Sequence, residues 1–529
     1  MKKKIIFIGM LVVTGCFLFP ERSMSQTTTS PFGVSMHLNG GEEYNHIPEN
    51  LRMLRAAGIR WVRTDFSWSA VEGPQGVWHF DVLDRVVAEI QKQELQILAP
   101  LLYNAPWATP AYKHLDAWLT YVEKVVTRYK DKVQCWEIWN EPNLYPRFWD
   151  QRNDAANYVL LLKATYRKIK EIAPDAIVVH AGMAGIPMEY IEQSFAEGSG
   201  RFFDKFSVHP YRSCMDTWEA TDLFCEDIDK LRALMAKYKL EQKDIWFTEM
   251  GISTMTGVEI KDREVFHEAK EETGRDWKVA MICDDDFPVD ESFAGQILPA
   301  FFPAGFQVDS IQIPNVQRTH LPAYDAVFFP PSDPFPLHIN QSLIPYLTRY
   351  LRAGGKVYYS TKDGTVYYYG DAVEKEANQA VFTAQTILLS LRFGIERYFY
   401  YEFESPEESM FDREDNFGLT GSGLRRKPAY DAYATIGKLF PEGSVTDMTV
   451  AWKQKDCCVV SWQQPDGLRV WAVWTPEGAR QVNVKIGKGL KQALNHLGET
   501  LPSVTEATGT LEIKPSVTYL TGAATLDIQ

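Results

Sequence analysis

Along most of this chain, short apolar runs alternate with stretches whose apolar positions recur every three or four residues. That is the pattern of strands and helices wound around a parallel sheet. Phe32-Gly33-Val34-Ser35-Met36 reads as a first strand, and Leu51, Leu54 and Ala57 mark the face of a helix that Gly58 ends. Trp61-Val62-Arg63-Thr64-Asp65 is the second strand, followed by a helix lined with Leu83, Val86, Val87 and Ile90. Ile97 to Leu102 is the third, and its helix carries Trp118, Tyr121, Val122, Val125 and Tyr129 on one face. Cys135 to Trp139 is the fourth, before a helix around Tyr158, Leu161, Leu162 and Thr165. Ala176 to His180, Phe206 to His209 and Ile245 to Thr248 read as strands five, six and seven. Seven such units in order favour a closed (β/α)8 TIM barrel over an open sheet.

The eighth unit comes late, with a helical pattern over Ala372 to Leu391 and a strand over Arg397 to Phe403 that carries Glu402 at its end. The interval has its own strand-helix pattern. Val279 to Ile282, Ala326 to Phe329 and Lys356 to Tyr359 read as strands, with helices near Phe293 to Phe302 and Leu343 to Leu351. A flavodoxin-like, amidotransferase-like α/β domain is therefore expected at 259–369, inserted after strand 7, with the barrel at 30–258 and 370–440. Beyond residue 443 the pattern turns to short strands, among them Val459 to Trp462 and Val470 to Trp474 around a Pro465-Asp466-Gly467 turn. These predict a β-sandwich over 443–529, with Trp471 and Trp474 either in its core or on a sugar-binding face.

The N-terminus adds an address. Lys2 to Lys4 precede the apolar run Ile5 to Val13, the shape of a secretory signal over residues 1–25. Two endings are open: Val13-Thr14-Gly15-Cys16 resembles a lipobox that would leave Cys16 lipidated, and Ser23-Met24-Ser25 offers an ordinary cleavage site. The protein is expected to be exported to the periplasm, the outer membrane or the medium, touching a membrane only through such a lipid anchor. In that setting Cys214 and Cys225 could bridge one loop, while Cys457-Cys458 reads as buried thiols or a strained pair. A net charge of −14 argues against a nucleic-acid partner. No cysteine or histidine spacing reads as a metal site, and Asp284-Asp285-Asp286 lacks partner ligands, so neither metal nor cofactor is expected. The chain also lacks a Gly-x-Ser-x-Gly elbow and a His-Glu-x-x-His helix, and its insertion lacks a Gly-x-Cys-x-Gly nucleophile turn.

Barrel enzymes carry their chemistry at the C-terminal ends of the strands. Strand 4 runs into Trp139-Asn140-Glu141-Pro142-Asn143-Leu144, and strand 7 into Phe247-Thr248-Glu249-Met250-Gly251. A closed barrel brings Glu141 and Glu249 to one rim, where two facing carboxyls can hydrolyse a glycosidic bond; singly, either could be a structural ion-pair partner. Trp-Asn-Glu-Pro with Thr-Glu-x-Gly resembles the clan A glycoside hydrolases. Phe148-Trp149, Tyr158-x-x-Leu161-Leu162, Val208-His209-Pro210-Tyr211 and Lys427-Pro428-Ala429-Tyr430 make the chain most similar to family 39 within that clan.

The resemblance implies a retaining hydrolase of β-linked oligo- or polysaccharides, with Glu141 as acid/base and Glu249 as nucleophile. Asn140 would hold the sugar 2-hydroxyl, Arg63 and Tyr211 would keep Glu249 ionised, and His209 would line the floor. Tyr103, Asn104, Trp107 and Trp149 are candidate subsite residues, and Glu402 stands where many relatives have Trp. Two rivals use the same frame: a transglycosylase with the same carboxylates, and a carbohydrate-binding surface protein without turnover. The insertion departs from the pattern, and could roof the site, reshape its subsites or join copies into a homo-oligomer.

Overall fold

The computed structural model describes residues 30–255, 259–261, 264–283, 298–331, 341–361, 365–448, 450, 453–454, 456–506 and 508–528. The expected signal over 1–25 with Cys16, and Asp284 to Asp286, lie outside the described residues.

Eight parallel strands form the barrel: Phe32–Met36, Trp61–Thr64, Gln96–Leu102, Cys135–Ile138, Ile177–Val179, Phe206–His209, Ile245–Met250 and Arg397–Tyr401, strands 1 to 8 below. Each is followed by a helix, from Ile47–Ala56 after the first to Pro428–Leu439 after the last. Strand 8 lies between strands 7 and 1, with Tyr398 opposite Phe32 and Phe247. The ring closes between strands 5 and 6 through a bridge from Val179 to Lys205 and through Met183–Ala184, which pairs with Val208 and His209.

Because successive side chains point to opposite faces of a strand, the apolar runs serve two cores. Val34, Val62, Ala99, Trp136, Val208 and Phe247 point outward into the packing beneath the helices. Trp61, Leu98, Cys135, Val179, Trp246 and Phe399 point inward and fill the lower barrel. One or two strand positions further along, the inward residues turn polar: Ser35, Arg63, Glu137, Ser207, His209 and Thr248, all buried. The lower layer supports this polar one from below.

Helices 47–56 and 428–439 meet backbone to backbone at Gly58 and Gly437. A Cβ on Gly58, whose φ is +81°, would lie 2.6 Å from the Gly437 carbonyl oxygen, and one on Gly437 would overlap the Ala57 carbonyl. The Gly58 stop read from the sequence is thus also a packing requirement.

The insertion forms a six-stranded sheet. Its parallel part runs in the order Gln307–Gln312, Lys278–Cys283, Ala326–Phe329, Val357–Ser360, the 2-1-3-4 order of flavodoxin-like sheets. Val366–Tyr369 and Glu259–Lys261 extend it antiparallel. Of the helix expected near Phe293 to Phe302, the described part is Leu298–Phe301.

The C-terminal region is two packed antiparallel sheets. Alternation along Cys457–Gln463 and Arg469–Trp474 sends Cys457, Val459, Trp471 and Val473 toward the second sheet, and Cys458, Val460, Trp462 and Trp474 toward the barrel. Trp471 and Trp474 are therefore both core residues. Adjacent Cys457 and Cys458 face opposite sides of one strand, so they are separate buried thiols and not a strained pair. Cys214 and Cys225 are also unbridged, which corrects the loop disulfide: Cys225 is buried in the barrel core from helix Trp218–Lys237. Among the described residues, no helix is long and apolar enough to cross a membrane.

Gly437→Ala is expected to destabilise the barrel by about 1–3 kcal/mol, because the obstacle is backbone and cannot rotate away. Gly509→Ala, at a site with open space around its Cβ, is expected to stay within about 0.5 kcal/mol. Urea unfolding of both variants beside wild type checks the pair, and equal midpoints would refute the packing account.

Candidate active site

The site is assembled on Arg63. Inward-facing on strand 2, its guanidinium reaches three elements at once. Nε donates to Glu137 Oε2 at 2.6 Å, Nη1 to Glu249 Oε1 at 2.6 Å and Ser35 Oγ at 3.2 Å, and Nη2 to Asn140 Oδ1 at 2.8 Å. Five donors in a fixed plane suit this task, which an ammonium group could not copy. Glu137, two residues after Cys135 on the same inward face, is fully buried. Its second oxygen accepts from Gly182 N–H at 2.9 Å, Ser207 Oγ at 3.1 Å and Thr248 Oγ1 at 2.8 Å. Glu137 thereby ties strands 2, 4, 6 and 7 to the segment after strand 5.

Glu249 sits at the end of strand 7. Besides Arg63 it accepts the Tyr211 hydroxyl at 2.9 Å on Oε2, and His209 Nδ1 lies 3.6 Å from the same oxygen. Burial alone would raise its pKa, but the charges of His209 and Arg63 and the Tyr211 hydrogen bond outweigh it, leaving the group below the ordinary glutamate value. Burial likewise pushes the Tyr211 hydroxyl well above its usual range, so it remains a donor.

Glu141 follows strand 4 on a twisted path. Trp139 and Glu141 take left-handed backbone conformations, with φ of 75° and 46°, while the Glu141 amide donates to Gly182 O at 3.0 Å. Such strain persists only where the surroundings enforce it, and it concentrates at working sites. The Glu141 carboxyl meets His209 Nδ1 at 2.8 Å, and His209 Nε2 meets Thr248 Oγ1 at 3.0 Å. Burial alone would depress His209, but the charges of Glu249 and Glu141 and the Glu141 hydrogen bond raise it above its ordinary value. Gly182 is the neighbour this ring requires, since a Cβ there would overlap it.

A carboxyl oxygen of Glu141, one of Glu249 and a His209 ring nitrogen all lie within 4.8 Å of one another. That grouping could hold a cation by distance alone. Arg63 already contacts Glu249, however, and Glu141 and His209 already meet each other at 2.8 Å, so the three groups are satisfied among themselves. Oxygens this close allow the two carboxyls to act on one bond.

The remaining sequence candidates divide. Tyr103, also left-handed at φ 65°, stacks on Phe148 and meets Trp139 edge-on. Glu249, Glu141 and Asp65 lie near enough to help hold its hydroxyl protonated, after burial as the main cause. Glu402 is buried at the end of strand 8; burial first and the Glu43 charge second hold its carboxyl well above the usual range. Asn104 spends its Oδ1 on the Ala111 amide at 2.7 Å, and Trp107 donates to the Glu72 carbonyl at 3.2 Å. Trp149, 4% exposed, is packed against Tyr112, Trp139 and Tyr158 and donates to Asp154. It braces the loop and offers no ring face to a ligand, which corrects its reading as a subsite residue. Glu137, Ser35 and Thr248 were missed, although strand alternation from Cys135 already turned Glu137 inward toward the Arg63 layer.

A family model described as beta-galactosidase matches residues 41–110. A 6-phospho-beta-glucosidase from Clostridium longisporum is 25% identical over 224 residues, covering 35% of this chain and 46% of that protein, so the match spans less than half of that relative. Among solved structures, a family 39 glycoside hydrolase from Bacteroides cellulosilyticus WH2 aligns with a TM-score of 0.56 at 18% identity, over 94% of this chain and 82% of that one. A GH39 beta-xylosidase from Caulobacter crescentus aligns at 0.50 and 13%, over 95% and 98%. These structural likenesses establish the barrel architecture.

Arg63→Met would leave Glu137 and Glu249 buried without their guanidinium partner, and is expected to cost about 3–5 kcal/mol at neutral pH. The depressed pKa of Glu249 contributes stability above its unfolded value of 4.5, and that contribution is lost as pH falls through the folded value. The gap between wild type and Arg63→Met should therefore narrow as urea unfolding is moved from neutral pH to below the unfolded value. A gap of constant size would refute the ion-pair account.

Proposed function

We propose that this protein is a retaining glycoside hydrolase acting on β-linked sugars, with Glu249 as nucleophile and Glu141 as acid/base. The observation that carries the reading is one carboxylate held ionised beside a second carboxyl, their oxygens within 4.8 Å, at the C-terminal ends of strands 7 and 4. The family 39 neighbours and the beta-galactosidase match support it. The N-terminal pattern of Lys2 to Lys4 and Ile5 to Val13 supports an activity outside the cytoplasm.

In the first step Glu141 donates its proton to the departing glycosidic oxygen while a Glu249 oxygen bonds to the anomeric carbon. The bond to the leaving group breaks with its electron pair staying on that oxygen, now a hydroxyl. Glu249 needs to be ionised for this, and Arg63 and Tyr211 meet that need. In the second step Glu141, now a carboxylate, takes a proton from water, whose oxygen attacks the anomeric carbon and frees Glu249. Asn140, with its side-chain oxygen fixed by Arg63, presents its amide N–H group toward the sugar 2-hydroxyl. His209 holds Glu141 in place and supplies a positive charge when the proton leaves it.

A panel of aryl β-glycosides (glucoside, galactoside, xyloside, fucoside and the 6-phosphoglucoside) is expected to yield at least one substrate. On it, Glu249→Ala should lose about 10⁴-fold or more in kcat, and Glu141→Ala about 10²–10⁴-fold, least with the best leaving group. Azide should restore Glu141→Ala as a β-glycosyl azide, and NMR of wild-type digests should show the first-formed sugar keeping its anomeric configuration. Turnover that survives either substitution, or an inverted product, would refute the assignment. Added acceptor sugar distinguishes hydrolysis from transglycosylation by the product formed.

A further inference from the structure

The loop after strand 8, residues 402–421, belongs to two domains at once. On one side it is seated in the insertion. Met410 is buried in the insertion's core beside Leu347 and Tyr350, its amide donates to Thr348 Oγ1 at 3.1 Å, and Phe411 packs edge-on against Tyr369 at 4.9 Å. Arg352 donates to the Glu407 carbonyl, and Glu407 is further paired with Arg425 at 2.6 Å. On its other side the loop faces the carboxylates. Phe417 lies 5.3 Å from Tyr401 and 5.9 Å from Tyr211, the residue that holds Glu249, and Arg413 lies over both Phe417 and Tyr211.

The far side of the mouth is built by the loops after strands 3 and 4, where Tyr103 and Phe148 stack at 5.9 Å. Strands 4 and 8 are diametrically opposed in an eight-stranded ring. Even so, Arg147 from the one loop and Glu414 from the other approach to 3.8 Å. That contact joins loops from opposite sides of the C-terminal face of the barrel, the face that carries Glu141 and Glu249, whose side chains are only 9% and 12% exposed. Both partners are more than two-fifths exposed, so the pair adds little to stability, at most about 1 kcal/mol. Joining the two sides of that face, it narrows the room for a polymer lying across it.

We infer that the Arg147–Glu414 contact, with its strand 8 loop held in place by the insertion through Thr348, Arg352 and Met410, makes the site a pocket for the terminal sugar of a chain. Arg147 and Glu414 are then specificity-determining residues, and the insertion is the buttress for one wall. The inference rests on the glycosidase reading and adds to it the mode of attack, release of single sugars from the non-reducing end.

The test uses the full-length protein with reducing-end-labelled xylohexaose, cellohexaose and β-1,4-galactohexaose, each free or carrying a 4-O-methyl cap on the non-reducing terminal sugar. Wild type should shorten a free chain one sugar at a time and cut its capped counterpart at least about tenfold more slowly. Glu414→Arg, which sets like charges against Arg147, should raise the ratio of capped to free cleavage and yield internal fragments. The exchange Arg147→Glu with Glu414→Arg should restore the wild-type ratio. Because the readout is a ratio on one preparation, partial loss of folding does not move it. Equal cleavage of capped and free chains by wild type overturns the inference. So does failure to cut any free chain by protein that turns over an aryl glycoside, and so does a ratio unchanged in Glu414→Arg. If no aryl glycoside is turned over either, it is the glycosidase reading that fails, and the inference with it.

Discussion

A single buried guanidinium sets the terms for the rest of this molecule. Arg63 stands inside the barrel where water cannot reach it, and a lone charge there would be prohibitively expensive. It is tolerated because four acceptors from strands 1, 4 and 7 converge on it. Each of those acceptors spends an oxygen on Arg63. Remove either side and the other becomes an uncompensated buried group, so the set is retained or lost together. The aromatic and aliphatic layer beneath, from Trp61 to Phe399, keeps the floor rigid enough for the distances to hold. Stability and the geometry of the carboxylates are thus properties of one network.

That network extends unevenly. On the side of strands 4 to 7 it is continued by hydrogen bonds from Gly182, Ser207, Thr248 and His209, all in the barrel wall. On the side of strand 8 the wall is a long loop, and a loop of that length needs support from elsewhere. The insertion supplies it, through an apolar anchor at Met410 and polar ties at Thr348 and Arg352. Through these ties the insertion's described residues help to shape a site carried by the barrel.

How far the sequence foretold this depends on the kind of information each feature uses. Strands and helices were legible because burial periodicity is local, and Glu141 and Glu249 because motif and strand order together placed them on one rim. The flavodoxin-like order of the insertion followed from its strand-helix rhythm. Glu137 was legible in principle from alternation, but a carboxyl in the middle of a strand gives no sign of its partners until the barrel closes. Trp149 misled because the sequence shows an aromatic residue near a catalytic motif and not which way its ring faces. Cys214 and Cys225 misled because proximity in sequence is not proximity of sulfur atoms across a helix. The contact of Arg147 with Glu414 was invisible, since it joins loops from opposite sides of the ring, far apart in sequence.

The two perturbed groups at the centre bracket the range over which this arrangement is coherent. Glu249 has its pKa lowered from 4.5, so what it adds to stability is present above that value and disappears as pH falls through the folded value. His209 has its pKa raised from 6.5, so its contribution is complete below that value and is lost as pH rises through the folded value. The charges attract each other, and each shift is partly the cause of the other. Between the two folded pKa values His209 is cationic and Glu249 anionic, which is also the state in which Glu249 can attack and Glu141 can be held beside a positive ring. The conditions that best stabilise the interior are therefore those that keep the Glu249 carboxylate ionised beside a cationic His209.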